Sequence, residues 1–447
     1  MNRRHLSFIA VSLIAVIVAS SIVIYEASVV KSSVHVAWHR PIENLAITTG
    51  LAADDGKVFT VDESGNLDCY DSHSGESLWN SSTNSSFDST PIISGGKLYV
   101  GSELASVSCL DETSGQFQWS FIGWLGNSYY MKRAPDSIIV EDGSVFAVTE
   151  DGGVSVHNAT TGESLWQAVP LYETGTYGNI SDLNNTWSVS GRPLGGNPFE
   201  GNSVYALGGN WSSQYIFKIN TDDGAILWQS NIKINVSSGI PNVIGSYQGQ
   251  VIMQNGNQTY SLNQTSGEPL WSYNITALTY QPTIYNNLLL FGASDGNFYA
   301  VNLTNGTLAW KTKVDSQNLF SQVTPNNPIV TSPVIIDSQN QMLFWSFGFG
   351  VDSQRQFNET VCGLDLASGN VVWTRQIQDN TPIYGQTIGL VQNEGTVFVT
   401  EKNTLWSLNE STGKLMQKEH FVHYVLPPIV LGNEAFVAID YKLTAYT

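Results

Sequence analysis

Few residues in this 447-residue chain have types and spacing suited to chemistry. Cysteine occurs three times, as Cys69, Cys109 and Cys362, with no Cys-x-x-Cys. An odd, scattered set argues against a disulfide framework or a structural zinc site. Of the seven histidines (His5, His35, His39, His73, His157, His420, His423), only the last two are close, in "EHFVHYV" between two repeat units. A spacing of three on a strand points them to opposite faces, so no metal site is expected. Asp142-Gly143, Asp151-Gly152 and Asp295-Gly296 look like pieces of calcium loops, but ordinary turns need the same residues. No catalytic residue is assigned. Aromatic and basic side chains are the richer signal. They gather in four insertions, 120–134, 167–200, 311–331 and 346–360. These hold Trp124, Tyr129, Tyr130, Lys132, Arg133, Tyr172, Tyr177, Trp187, Arg192, Phe320 and Arg355, with Trp211 in a shorter connection. Cations beside exposed aromatics suit a protein hot spot or stacking on a sugar. The same side chains could instead pack long loops onto their scaffold.

That scaffold is written in a twelve-residue phrase. "YSLNQTSGEPLW" ends at Trp271, and seven relatives of it recur, from "DCYDSHSGESLW" ending at Trp79 to "WSLNESTGKLMQ" ending at Gln417. In all eight an Asp or Asn lies four residues before a Gly, and in seven a Trp lies four after it. Those tryptophans are Trp79, Trp119, Trp166, Trp228, Trp271, Trp310 and Trp373. The Asx side chain caps its own backbone and Gly takes the positive φ that ends the turn. The glycines recur 39 to 63 residues apart, a period that signals a propeller or a solenoid. Upstream of each phrase lies another strand pair around a Gly turn, as in "SIIVEDGSVFAVTE". Each unit therefore reads as four antiparallel strands, A to D. One such sheet has two faces to bury, and stacking copies around an axis buries both. The Trp on each outer strand then becomes a seam between blades, worth up to about 4–6 kcal/mol by area.

The chain's ends fit closure. The last unit, 427–447, has strands A to C and stops where a D strand should begin. "VHVAWHR", residues 34–40, supplies a D strand with Trp38 in the seam position. Counting this composite unit gives nine repeats. Cys69 and Cys109 occupy one position in successive units, where sheets packed about 10 Å apart would hold them too far apart to bridge. Both read as buried thiols.

The phrase resembles the tryptophan-docking repeat of the pyrroloquinoline-quinone (PQQ) propeller superfamily, over residues 34–447. That superfamily includes quinoprotein dehydrogenases and a non-enzymatic lipoprotein of bacterial outer-membrane assembly. The resemblance implies an all-β, closed propeller of four-stranded antiparallel blades. Its norm is eight blades against the nine counted here, so either the ring is unusual or one unit is not a blade. A dehydrogenase of this kind holds PQQ over Ca²⁺, and many set an adjacent Cys–Cys disulfide against the quinone. This chain has no such pair and no Cys-x-x-Cys-His haem site. The reading is therefore a non-enzymatic binding or scaffold protein with no cofactor. A PQQ- and Ca²⁺-dependent dehydrogenase is the alternative, and a glycan-binding surface protein a further one.

Strand order puts the A–B and C–D turns on one face and the B–C and D–A connections on the other. All four insertions are of the second kind, so they crowd one rim, where function is expected. Residues 1–5 read as a cytoplasmic stub and 6–25 as an uncharged transmembrane anchor, with a cleaved signal peptide as the rival reading. Twenty residues at about 1.5 Å each match a hydrocarbon core of about 30 Å. The linker 26–33 enters at the C–D face, which would turn the decorated rim away from the cell membrane, or leave the propeller secreted if cleavage occurs. A formal charge of −19 makes nucleic acid an unsuitable partner. Charged residues make up only 13%, with Ser, Thr, Asn and Gly in their place. Fourteen Asn-x-Ser/Thr sequons fit an exported, glycosylated surface. Asn158, Asn263, Asn302 and Asn409 are explained by the turn of the phrase alone. Ten remain as candidates: Asn80, Asn84, Asn179, Asn184, Asn210, Asn235, Asn257, Asn274, Asn305 and Asn358.

Overall fold

The structure is a computed structural model of the full chain. Outside the described residues lie 1–33 and the segments 43–47, 63, 84–88, 103–105, 123–136, 149–153, 169–178, 182–185, 194, 197–198, 211–212, 221–224, 235–241, 256, 275–281, 294, 315–328, 352–355, 380–388, 402, 422–425 and 440–441. The anchor expected at 6–25 therefore lies outside them. Among the described residues no helix is long and apolar enough to cross a membrane.

The described chain folds into nine antiparallel sheets, each with a four-stranded core. The repeat unit is plain in blade 1: strand A Thr48–Asp54, B Lys57–Asp62, C Asn66–Asp71 and D Ser77–Ser82. Strands A and B meet in a two-residue hairpin, with Asp55 at φ 43° and Gly56 at φ 72°. Such a turn matches the right-handed twist of the strands it joins. Strand B, "KVFTVD", is buried over five consecutive residues because neighbouring blades cover both its faces. Strand D alternates with its outward side exposed. Blades 2 to 8 span 92–122, 137–168, 179–229, 242–274, 283–313, 329–379 and 389–420.

The ninth blade joins the two ends of the chain. Ile429–Leu431, Glu434–Ile439 and Lys442–Tyr446 form its strands A to C, and Val36–Pro41 lies against Lys442–Tyr446 as strand D. Trp38 pairs with Ala445, and His35 and Thr447 exchange backbone hydrogen bonds of 3.0 and 2.9 Å. Strand A of blade 9 touches strand A of both blade 1 and blade 8, so the ring closes. All nine repeats are blades, one more than the superfamily norm.

The seams explain the spacing of the phrase. In the seven seams described on both sides, the docking Trp leans on the turn of the next blade, over its glycine. A Cβ on Gly369 would lie 2.2 Å from the Trp310 ring, and one on Gly413 would lie 2.5 Å from Trp373. Gly413 also sits at φ 64°, so the residue is required twice, for backbone conformation and for room. The same contact joins Trp38 to Gly75, Trp79 to Gly115, Trp119 to Gly162, Trp228 to Gly267 and Trp271 to Gly306. In five of these seams the indole N–H also donates to the carbonyl after the Asx, as from Trp38 to Ser72 at 2.8 Å, Trp79 to Glu112 at 3.1 Å and Trp271 to Leu303 at 2.7 Å, whereas the Trp119 and Trp310 indoles make no such bond. Asp71 caps its own turn, Oδ1 accepting from the Ser74 N–H at 2.8 Å and its hydroxyl at 2.9 Å. Side-chain cap, glycine and indole thus form one unit across two blades. Trp166 stands on strand Ser164–Ala168 of blade 3, opposite Val156, where the repeat expects it.

Three expectations about loops change. The stretch 346–360 is mostly strand: Met342–Val351 and Gln356–Asp365 are ten residues each and raise blade 7 above its neighbours. The stretch 167–200 contains Asn179–Ser181 and the strand Thr186–Pro193, which carries Trp187 and Arg192. Arg192 pairs with Leu207 of the same blade, so this backbone belongs to blade 4 itself. Gly195 and Gly196 leave that strand and pair in parallel with Asn242 and Val243 of blade 5, joining two blades by backbone. His420 ends strand D of blade 8 instead of lying between units.

Candidate functional site

All D strands run from the C–D turn toward the D–A connection, which places the long connections on one rim. Ten of the twelve binding-face candidates lie outside the described residues: Trp124, Tyr129, Tyr130, Lys132, Arg133, Tyr172, Tyr177, Trp211, Phe320 and Arg355. Trp187 and Arg192 have a described backbone, on the strand leading into blade 4. The structure therefore neither gathers the twelve into one patch nor separates them.

What the rim does show is a cluster on the B–C turn of blade 6. Asp295 accepts from the Tyr299 hydroxyl at 2.5 Å, from Lys311 at 3.0 Å and from the Asn297 N–H at 3.1 Å. Lys311 also lies over the Tyr299 ring, 4.6 Å from its centre. Burial works against ionisation of Asp295, but these hydrogen bonds outweigh it and hold the carboxyl below its usual range. Asp295-Gly296 is therefore a satisfied turn. Asp142-Gly143 likewise forms the A–B hairpin of blade 3, at φ 44° and 77°. Asp151-Gly152 lies outside the described residues.

The opposite face holds chemistry that sequence reasoning did not find. Asp337, at the end of strand A in blade 7, and Glu410, in the C–D turn of blade 8, share two amides. Asn340 Nδ2 donates to Asp337 at 2.8 Å and Glu410 at 3.1 Å, while Gln392 Nε2 donates to Glu410 at 2.7 Å. Both carboxyls are buried. Burial and the Asp337 carboxylate raise the pKa of Glu410, whereas that of Asp337 is lowered, so Glu410 is the more readily protonated of the two. A weak signal existed. The residue after the Asx is also Glu in blade 2, where Glu112 meets Lys57 of blade 1 at 3.0 Å. Only the ring brings Asp337, seventy-three positions before Glu410, to the same place.

The three thiols are buried and free. Burial pushes Cys69 and Cys362 up to about 12 and Cys109 to about 11, so none is a ready nucleophile at neutral pH. Cys69 faces Phe59 and Trp79 across its strands, a packing role. His157 is buried in the seam between blades 2 and 3, stacked on Phe121 with Nδ1 3.1 Å from the Gly162 carbonyl. His420 meets Thr404 at 3.0 Å, and His423 is outside the described residues. Among the described residues no three His, Cys, Asp or Glu side chains group to hold a metal. Asp295, a carboxylate on the rim, is already held by Tyr299, Lys311 and Asn297.

A family model described as the outer membrane protein assembly factor BamB matches residues 31–218, 212–383 and 357–447. The outer membrane protein assembly factor BamB of Yersinia pestis is 24% identical over 306 residues, covering 66% of this chain and 69% of the relative. Among solved structures, BamB of Moraxella catarrhalis superposes with a TM-score of 0.51 at 11% identity, covering 93% of this chain and 100% of that one. A quinohemoprotein alcohol dehydrogenase of Pseudomonas putida superposes with a TM-score of 0.52 at 12% identity, over 93% and 76%. These two likenesses show the fold, which a scaffold and an enzyme share.

Proposed function

From the premise that this chain belongs to the family of the outer membrane protein assembly factor BamB, we propose that it is a non-enzymatic scaffold that holds an extracytoplasmic protein on its long-connection rim. One contrast carries this reading. On the C–D face, residue after residue is committed to seams: capping Asx, turn Gly, docking Trp and the polar pairs Lys57–Glu112 and Asn340–Glu410. The other rim carries the variable connections, with aromatic and cationic side chains that the repeat does not require. A rigid ring with one free, decorated edge suits presentation of a binding surface.

The apolar run 6–25 tethers the ring to the cell membrane, and the chain enters at His35, beside Thr447 on the C–D face. The decorated rim then points away from that membrane. A photo-reactive residue placed at Trp124, Tyr130 or Arg355 in intact cells should give protein adducts, whereas one at Ser74, Ser114 or Ser368 should give none. Adducts confined to the second set would refute the reading. The dehydrogenase alternative has its own check: purified protein loaded with PQQ and Ca²⁺ should fail to reduce an acceptor dye with alcohols or sugars.

A further inference from the structure

The outer strands carry an unusual surface. The large apolar side chains that stand exposed among the described residues all sit on D strands, one or two positions before the docking residue. Leu78 is 50% exposed before Trp79 and Leu270 is 48% exposed before Trp271. The pattern recurs in every blade but the eighth, which makes a broken apolar belt around the ring. An exposed belt of this kind calls for a covering partner.

Two sequons stand on the same outward faces. In blade 1 exposure alternates along strand D so that Leu78, Asn80 and Ser82 share the exposed side, and the last two form Asn80-Ser81-Ser82. In blade 5 Leu270, Ser272 and Asn274 share the exposed side, and Asn274 begins Asn274-Ile275-Thr276. The turn asparagines Asn158, Asn263, Asn302 and Asn409 differ. They are half-buried, and the side-chain oxygens cap the turn, as Asn263 Oδ1 does for Thr265 and Ser266 at 2.9 Å each. Asn80 and Asn274 are paired through the backbone opposite Asp68 and Gln258, and both residues are exposed on the outermost strand of the sheet.

We propose that Asn80 and Asn274 carry N-linked glycans, which lie along the outer strands and cover Leu78 and Leu270. The donor is an oligosaccharide carried on a lipid phosphate. Asn Nδ2 bonds to the anomeric carbon, the bond from that carbon to the phosphate oxygen breaks, the lipid phosphate leaves with the electron pair, and one amide proton is released. The apolar C–H faces of the sugar rings then shield the two leucines. This inference is independent of what the rim binds: glycan occupancy is read from mass, rim contacts from cross-linking, so either can fail without the other.

Peptide mass mapping of the protein purified from the membranes of its own cells tests it. Sugar-sized mass increments are expected on the peptides holding Asn80 and Asn274. They should vanish one at a time in S82A and T276A, which keep the asparagines. The peptides of Asn158, Asn263, Asn302 and Asn409 should be unmodified. Unmodified Asn80 and Asn274 peptides, or sugar confined to the turn asparagines, would overturn the assignment. An apolar dye that fluoresces on exposed patches tests the covering role: S82A/T276A should bind it at least about twofold more strongly, and an unchanged signal would refute the shielding.

Discussion

Two neighbouring seams of the ring solve one problem differently. Between blades 7 and 8, Trp373 leans on Gly413 and its indole donates to the Glu410 carbonyl at 2.5 Å. Between blades 8 and 9 the docking position holds Gln417, and no indole is present. The reason lies in the partner. Blade 9 has no C–D turn, because its strand C is Lys442–Tyr446 and its strand D is Val36–Pro41, about 400 residues earlier in the sequence. Without an Asx turn and its glycine an indole has nothing to rest on. Gln417 instead donates to Glu419, and the buried Tyr446 hydroxyl donates to the same carboxylate at 3.0 Å. The eighth phrase departs from the other seven because its receptor is missing. An indole is useful only where a cap and a glycine have been built to receive it.

Replacing Trp373 with Ala breaks the docked seam most directly. It removes a buried indole and leaves its cavity, so stability should fall by about 3–5 kcal/mol in urea unfolding. Gln417→Ala at the undocked seam should lower it by less than about 1 kcal/mol. Equal effects would show that the indoles are not what holds blades together. Gly413→Ala approaches the same seam from the receiving side. A Cβ at 2.5 Å from the indole, on a backbone at φ 64°, should reduce stability by about 2–3 kcal/mol. In a Trp373→Ala background the steric part disappears and only backbone strain of about 1 kcal/mol remains. The double-mutant cycle should therefore be strongly non-additive. Additivity would mean that the two residues act independently.

Most of the scaffold was legible from sequence because it is periodic. The Asx–Gly–Trp spacing, the nine units and the shared sheet of the two ends follow from local turn chemistry repeated along the chain. The contact of a Trp with the following glycine joins residues 35 to 59 positions apart, from Trp271–Gly306 to Trp310–Gly369, so it appears only once the blades are stacked. The stacking of neighbouring blades places Asp337 by Glu410 and Phe121 on His157, and no local pattern marks either pair. The raised strands of blade 7 read as a loop because "SFGFGV" carries two glycines, which usually interrupt a strand.

The seam between blades 2 and 3 sharpens the comparison through pH. Trp119 docks on Gly162 there, and His157 packs beside it on Phe121. Burial lowers the His157 pKa from 6.5 to about 4. The unfolded chain then takes up a proton that the folded chain refuses, so stability should fall as pH drops below about 6.5 and level off near 4. The span is worth about 3 kcal/mol. His157→Leu should flatten that part of the profile in urea unfolding at several pH values. The seam between blades 7 and 8 has the opposite sign. Glu410 has its pKa raised, so its contribution is complete below the ordinary carboxyl range and is lost as pH rises through the folded value. Glu410→Gln should remove that loss while keeping the contacts to Asn340 and Gln392.

The smallest expected effect tests the explanation for the odd seam. If Gln417 is there because blade 9 offers no turn, then Gln417→Trp should bring no docking gain. The new indole would meet the two chain ends, where His35 and Thr447 pair by backbone, and would displace the Glu419 contact. Stability should change by less than about 1 kcal/mol in either direction, far below the area value of a buried Trp. Joining Thr447 to Val34 through a linker that encodes Asx, three residues and Gly, in a chain opened elsewhere, would supply the missing receptor. Gln417→Trp in that permuted chain should stabilise by about 2 kcal/mol or more. A gain in the natural chain without the turn would show that the indole does not depend on a glycine receptor.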